Sequence, residues 1–154
     1  MATITSTLTI ASTDAFASQD LSLSTNHTPT VVAPMADISR MATNDNPYGF
    51  GAGVIIDEED TNDYFVYIRH LGIKGSDDYA GGSTTAADAA DTVIVGNGDL
   101  DASSKIITLK SGEFCYFPTT VADGTDGGVE VGGIAVVRGG DEEVVIEYGF
   151  WHRG

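Results

Sequence analysis

Basic residues are scarce in this chain. Seven Lys and Arg stand against 23 Asp and Glu in 154 residues, a formal charge of −16. A field of that sign repels phosphate backbones and argues against nucleic acid as a direct ligand. Cysteine is almost absent: with Cys115 alone, an intramolecular disulfide is excluded, and the three histidines, His27, His70 and His152, form no Cys/His cluster of zinc-binding spacing. Long apolar runs are missing too. The opening "MATITSTLTIASTDAF" carries neither a basic residue nor a continuous hydrophobic stretch, so it fits neither a signal peptide nor a membrane span. A soluble protein made in a cytoplasm, with no membrane partner, is expected.

What the chain does contain is glycine and short apolar segments. Gly occurs 19 times, well above the usual share of about 7%, and hydrophobic residues make up 42%. Glycines with few helix formers between them signal turns joining strands. Length and apolar content suit one domain, residues 1–154, with its own core.

Alternation begins at once. Ile4, Leu8 and Ile10 point one way, separated by Thr5, Thr7 and Thr9, which predicts a half-buried strand. "DLSLSTN" alternates as well, and "TPTVVAP" is held extended by Pro29 and Pro34. Residues 1–47 are expected to form an extended arm plus the first strands, and the stretch from Pro34 to Gly53 a loop with at most one irregular strand. Short apolar runs then follow at 54–56, 64–70, 92–95, 105–109, 113–117, 129–131, 134–137 and 143–151. Runs at that spacing predict an all-β domain, an antiparallel β-sandwich or jelly-roll-like fold. "STTAADAADTV" has the only helical pattern and is too short to persist, so it reads as a loop with one helical turn at most. No repeat of solenoid length is present.

Acidic clusters lie between the strands, where they keep sheet edges soluble. Of these, "DEEDTND" offers a weak metal candidate in Asp57, Glu58, Asp60 and Asp63. Asn97, Asp99 and Asp101 copy the start of an EF-hand loop, but Ala102 and Thr108 stand where Gly and the bidentate Glu belong. Gly49, Gly51 and Gly53 lack the Lys-Ser/Thr of a phosphate loop. No cofactor is implied.

Cys115 sits mid-strand in "LKSGEFCYFPTT", not at a strand-to-helix turn where a nucleophile is raised toward substrate. It reads as a small buried hydrophobe. Alternation places Cys115 and Phe117 on one face and Phe114, Tyr116 and Pro118 on the other, after a turn at Ser111-Gly112. Both faces are apolar, which predicts a central strand covered on both sides, its ladder ending at Pro118. At the C-terminus, Tyr148, Phe150 and His152 share one face, and Glu147, Gly149 and Trp151 the other. Phe114, Tyr116, Phe117, Tyr148, Phe150 and Trp151 are therefore the candidate core or interface anchors. His70 and His152 are expected at strand ends facing solvent or an interface. Nothing singles out a carboxylate pair for hydrolysis, and an enzyme is not expected.

Four segments in order, "ITSTLTIASTDAF" with "LSLSTNHTP", "DYFVYIRHLG", "ITLKSGEFCYFP" and "EEVVIEYGFWHRG", resemble a group of small tailed-bacteriophage virion proteins. The resemblance implies a non-enzymatic virion protein on the capsid surface, a decoration (cement) protein bound to the outer face of the major capsid protein. It also implies a β-rich homo-oligomer, a trimer at threefold positions, made in the host cytoplasm. Residues 75–91 look like a loop insertion relative to that pattern. A tail or fibre component, or a calcium-dependent or carbohydrate-binding adhesion module, are the alternative functions.

Overall fold

The computed structural model describes residues 2–3, 5–16, 19–34, 38–43, 54–56, 63–75, 85–97, 105–120 and 133–153. Twelve strands are present: β1 (Ala2–Thr3), β2 (Ser6–Phe16), β3 (Gln19–His27), β4 (Thr30–Pro34), β5 (Ser39–Ala42), β6 (Val54–Ile56), β7 (Asp63–Lys74), β8 (Val93–Asn97), β9 (Lys105–Leu109), β10 (Phe114–Thr120), β11 (Ile134–Arg138) and β12 (Val144–Arg153). The fold is all-β, and every strand pairing among the described residues is antiparallel.

Strands β5 to β12 make two sheets, ordered β5-β12-β7-β10 and β6-β11-β8-β9. The pairings are nested. Strand β5 meets β12, β6 meets β11, β7 meets β10 and β8 meets β9. A long antiparallel hairpin rolled over on itself gives that nesting, so the sandwich is a jelly roll. Strand β4 extends the first sheet beside β5, along the same edge of β12, and β1 pairs with β4.

Alternation decides what fills the space between the sheets. Val66 and Ile68 of β7 and Ile146 of β12 meet Val93 and Val95 of β8, Leu109 of β9, and Ile134 and Val136 of β11. All are essentially inaccessible to water. β-branched residues dominate, as suits strands whose side chains stand on a pleated surface.

The turn into β10 follows from one glycine. Glu113 N donates to Lys110 O at 2.9 Å, and Gly112 holds φ +82°, the left-handed position that a type II turn places at its third residue. The expected turn at Ser111-Gly112 is thus present, and Glu113 Oε2 also accepts from Lys110 N at 2.8 Å.

Three expectations need correction. Among the described residues β10 is the edge of its sheet, not a central strand. It is apolar on both faces because one packs in the core and the other carries an outward aromatic patch. Nor does Pro118 end the ladder, which runs on to Thr120 opposite Asp63. An edge strand tolerates a missing N–H that a central strand does not.

His70 is the third correction: it is fully buried. Strand β7 continues past it to Lys74, and the ring is enclosed by the 85–91 segment. Gly72 N donates to Nδ1 at 3.0 Å, so Nε2 carries the hydrogen and donates to Asp91 O at 2.9 Å. Asp91, also buried, accepts from Asp88 N through Oδ2 at 2.7 Å. Lys74 Nζ lies 3.1 Å from Asp88 and 3.7 Å from Asp91. Residues 85–91 contain no helix, only one hydrogen-bonded turn in which Asp91 N donates to Asp88 O at 3.1 Å; they are held to β7 by Lys74 N donating to Thr85 O and Ala87 N to Gly72 O.

The N-terminal strands form a ribbon. The register Ala2/Val31 and Thr3/Thr30 continues without slip into Ser6/His27 and on to Ser12/Leu21. Beyond Ser12/Leu21 the register shifts before Phe16 meets Gln19. Leu8, Ile10 and Leu23 share one face, as alternation required, but they are 44%, 43% and 48% exposed, not half-buried. Strands β2 and β3 pair only with each other among the described residues. Ile4 lies outside the described residues.

Candidate interaction face

The outward face of the β5-β12-β7-β10 sheet is built by register. Opposite Phe65, Tyr67 and Arg69 of β7 stand Pro118, Tyr116 and Phe114 of β10 on one side, and Trp151, Gly149 and Glu147 of β12 on the other. Nine positions thus carry five aromatic rings, one proline and one glycine.

Four of the rings pack as two pairs. Phe65 and Tyr116 stack at 5.8 Å with planes 8° apart, and Tyr67 lies 6.5 Å from Phe114. Trp151 lies over Gly149: a β-carbon at Gly149 would stand 3.1 Å from the indole Cη2. Glycine there lets the indole lie down on the strand, and Ile38 borders the same spot. Contacts of this kind between rings contribute about 0.5–1.5 kcal/mol beyond area burial.

Polar groups rim the patch. Tyr67 Oη donates to Glu147 Oε1 at 3.2 Å, and Arg40 Nη2 of β5 pairs with Glu147 Oε2 at 3.3 Å. Burial and then the neighbouring Glu147 carboxylate raise the Tyr67 pKa above its ordinary value. The Tyr116 hydroxyl is buried and meets no partner among the described residues, an arrangement with a cost of about 1–3 kcal/mol. Phe114 is 57% exposed.

The six aromatic anchors therefore divide. Phe117, Tyr148 and Phe150 point inward and pack against the core, Phe150 meeting Tyr64 edge-on at 5.4 Å. Phe114, Tyr116 and Trp151 point outward. Phe65 and Tyr67 belong with them and were not singled out from sequence, although the alternation of "DYFVYIRHLG" already separates them from Tyr64, Val66 and Ile68. The faces assigned to β12 hold throughout, and β12 lies inside its sheet.

Of the metal candidates, Asp57, Glu58 and Asp60 fall outside the described residues, as do Gly49, Gly51, Gly53, Asp99 and Asp101. Asp63 begins β7 opposite Thr120. Among the described residues no group of three or more His, Cys, Asp or Glu gathers as a metal site. Cys115 faces the core. Burial pushes its thiol up to about 11, so the nucleophilic thiolate is not populated at neutral pH.

His27, at the base of the ribbon, meets Phe65 edge-on at 5.5 Å. It shares a ribbon face with Leu8, Ile10 and Leu23. The apolar stripe of the ribbon thus connects with the aromatic sheet face.

Comparison with protein-family models, curated proteins and solved structures gave no match.

Proposed function

We propose that the chain is a structural protein of a tailed-phage virion, a capsid decoration protein that binds the outer surface of the major capsid protein and stabilises the shell. It works without catalysis or cofactor, as a homo-oligomer, a trimer at threefold positions. Resemblance of four ordered segments to small virion proteins supports this reading. The single observation that carries it is the outward aromatic face at the sandwich edge, where exposed Phe114 and half-buried Tyr67, Tyr116 and Trp151 surround the buried Phe65, beside a ribbon that pairs with no other strand among the described residues. Surfaces of this kind, large apolar groups clustered and rimmed by polar ones, mark protein contact sites.

Stabilisation follows from mass action. A protein that binds the closed shell and not its separated subunits lowers the free energy of the closed state, multiplied over every lattice position. The charge of −16 suits the outside of a shell and disfavours contact with packaged DNA.

Co-sedimentation with empty shells assembled from the parent phage's major capsid protein tests the proposal. Saturable binding at a fixed ratio to capsid subunits, and a higher melting temperature of decorated shells, are expected. Absence of binding to intact shells overturns it.

One observation favours a carbohydrate-binding reading: Tyr67 and Trp151 lie on an open face beside Glu147 and Arg40, the mixture of rings and polar groups that sugars use. Titration of neutral and acidic oligosaccharides against Trp151 emission, with and without calcium, separates the two. Saturable glycan binding without shell binding would favour the adhesion module.

A further inference from the structure

We infer that His70 is an acid-released latch: a proton taken from solvent at Nδ1 under mildly acid conditions frees residues 85–91 from the end of β7.

The segment closes a sheet edge. Strand β10 accompanies β7 only as far as Arg69, opposite Phe114, while β12 continues on the other flank with Val144 opposite Lys74. Beyond Arg69 the 85–87 stretch takes the flank that β10 leaves, through Lys74 N to Thr85 O, Ala87 N to Gly72 O and the bridge between Ile73 and Ala86. Opening therefore bares the backbone of Gly72–Lys74.

The hydrogen bonds of the ring fit only its neutral form. His70 is fully buried, Nδ1 accepts from Gly72 N at 3.0 Å, and Nε2 donates to Asp91 O at 2.9 Å. An imidazolium has two donors and no acceptor. A proton on Nδ1 sets two N–H groups against each other and leaves both without an acceptor in a site closed to water. Swinging the 85–91 segment away relieves this, because the ring then reaches solvent.

The surrounding charges are already matched. The 85–91 segment brings Asp88 and Asp91, but the ring meets the Asp91 carbonyl, not its carboxylate. Asp91 Oδ2 accepts from Asp88 N at 2.7 Å, and Lys74 Nζ lies 3.7 Å from it and 3.1 Å from Asp88 Oδ2. Glu142, ahead of β12, acts on the same ammonium. From the turn before β10, Glu113 offers His70 N its backbone carbonyl while its carboxylate accepts from Lys110 N. Arg69 and Glu147 stand on the outward face, and the β12 residue opposite His70 is the buried Ile146. A charged His70 would thus be a second cation beside carboxylates that Lys74 already holds.

More protons are bound open than closed, so opening grows as pH falls. Between about pH 7.5 and about pH 5.5, a histidine that takes up its proton only in the open form, at the ordinary value near 6.5, raises the opening constant about tenfold. Carboxylates of ordinary acidity stay charged over that range.

Amide hydrogen exchange of the purified full chain at these two pH values, corrected for intrinsic rates, tests the proposal. Protection of Gly72, Lys74, Ala87 and Asp88 is expected to fall about tenfold, while that of Thr43, bonded to Val144 O on the far side of β12, holds. In His70→Gln, which takes up no proton, the segment is expected to lose this pH dependence. His27 and His152 are common to both proteins, so the difference belongs to His70. If that variant does not fold, the ring nitrogen signals of the wild type decide: protonation of His70 is expected to track the loss of protection. Unchanged protection at the lower pH overturns the proposal. So does an equal loss in His70→Gln, or a protonated ring beneath a segment that stays closed.

Discussion

The imidazole of His70 bridges two separate stretches of chain: its Nε2 donates to the carbonyl of Asp91 at 2.9 Å while its Nδ1 accepts from the amide of Gly72 at 3.0 Å. Removing the ring leaves a buried carbonyl and an amide without partners. His70→Ala is expected to cost about 3 kcal/mol of unfolding free energy in urea titrations. A loss below about 1 kcal/mol would mean that water replaces the ring at no cost.

Cys115 gives a pH signature. Its thiol titrates near 11 folded against 9.0 ordinarily, so the unfolded chain binds fewer protons between those values and stability falls as pH rises through that window. Below pH 9 the contribution is fully present. Relative to Cys115→Ala, the wild type is expected to lose roughly 1–2 kcal/mol between pH 9 and 11, with the partial cover of the group allowed for. Native protein at pH 8 should resist a thiol reagent that reacts at once in denaturant. Parallel pH curves for the two proteins would contradict the burial argument.

Two glycines with positive φ should differ in their tolerance of alanine. At Gly112, φ is +82° but a β-carbon meets nothing within 4 Å, so only backbone strain is incurred. Gly112→Ala is expected to cost about 1 kcal/mol. At Gly72, φ is +78° and the β-carbon would stand 2.6 Å from Ser111 Oγ. Its replacement also displaces the amide that holds His70, and about 2–3 kcal/mol is expected. Thermal unfolding of both variants checks the order.

Trp151 is the sole tryptophan, so emission excited beyond the tyrosine absorption reports on the outward face alone. Gly149→Ala places a methyl group 3.1 Å from the indole and should lift the ring toward water. A red shift in emission with little change in the unfolding midpoint is the expected result. An unchanged spectrum would show that the indole does not lie on Gly149 in solution.

How much of this was legible beforehand differs between elements. Strand β9 was readable to the residue, because Lys105–Leu109 is bounded by turn residues and contains an unbroken β-branched run. The faces of β10 and β12 were readable too, since a period of two follows from strand geometry. What covers a face is not encoded in that period. Cys115 and Phe117 look inward and Phe114 and Tyr116 outward, yet the alternation of "EFCYFP" is the same for a central strand and for an edge strand with an open aromatic side. For the same reason Leu8 and Ile10 were assigned one face correctly and cover incorrectly. His70 was misplaced because its partners, Gly72 and the Asp91 carbonyl, are backbone groups whose approach depends on the 85–91 segment folding back. Residue type alone carries no signal for that.

Electron microscopy of purified phage particles tests the central claim most directly. The account predicts density for this protein on the outer surface of the shell, with the outward aromatic face of β7, β10 and β12 covered. Density on the tail, density inside the shell, or particles lacking the protein would contradict it.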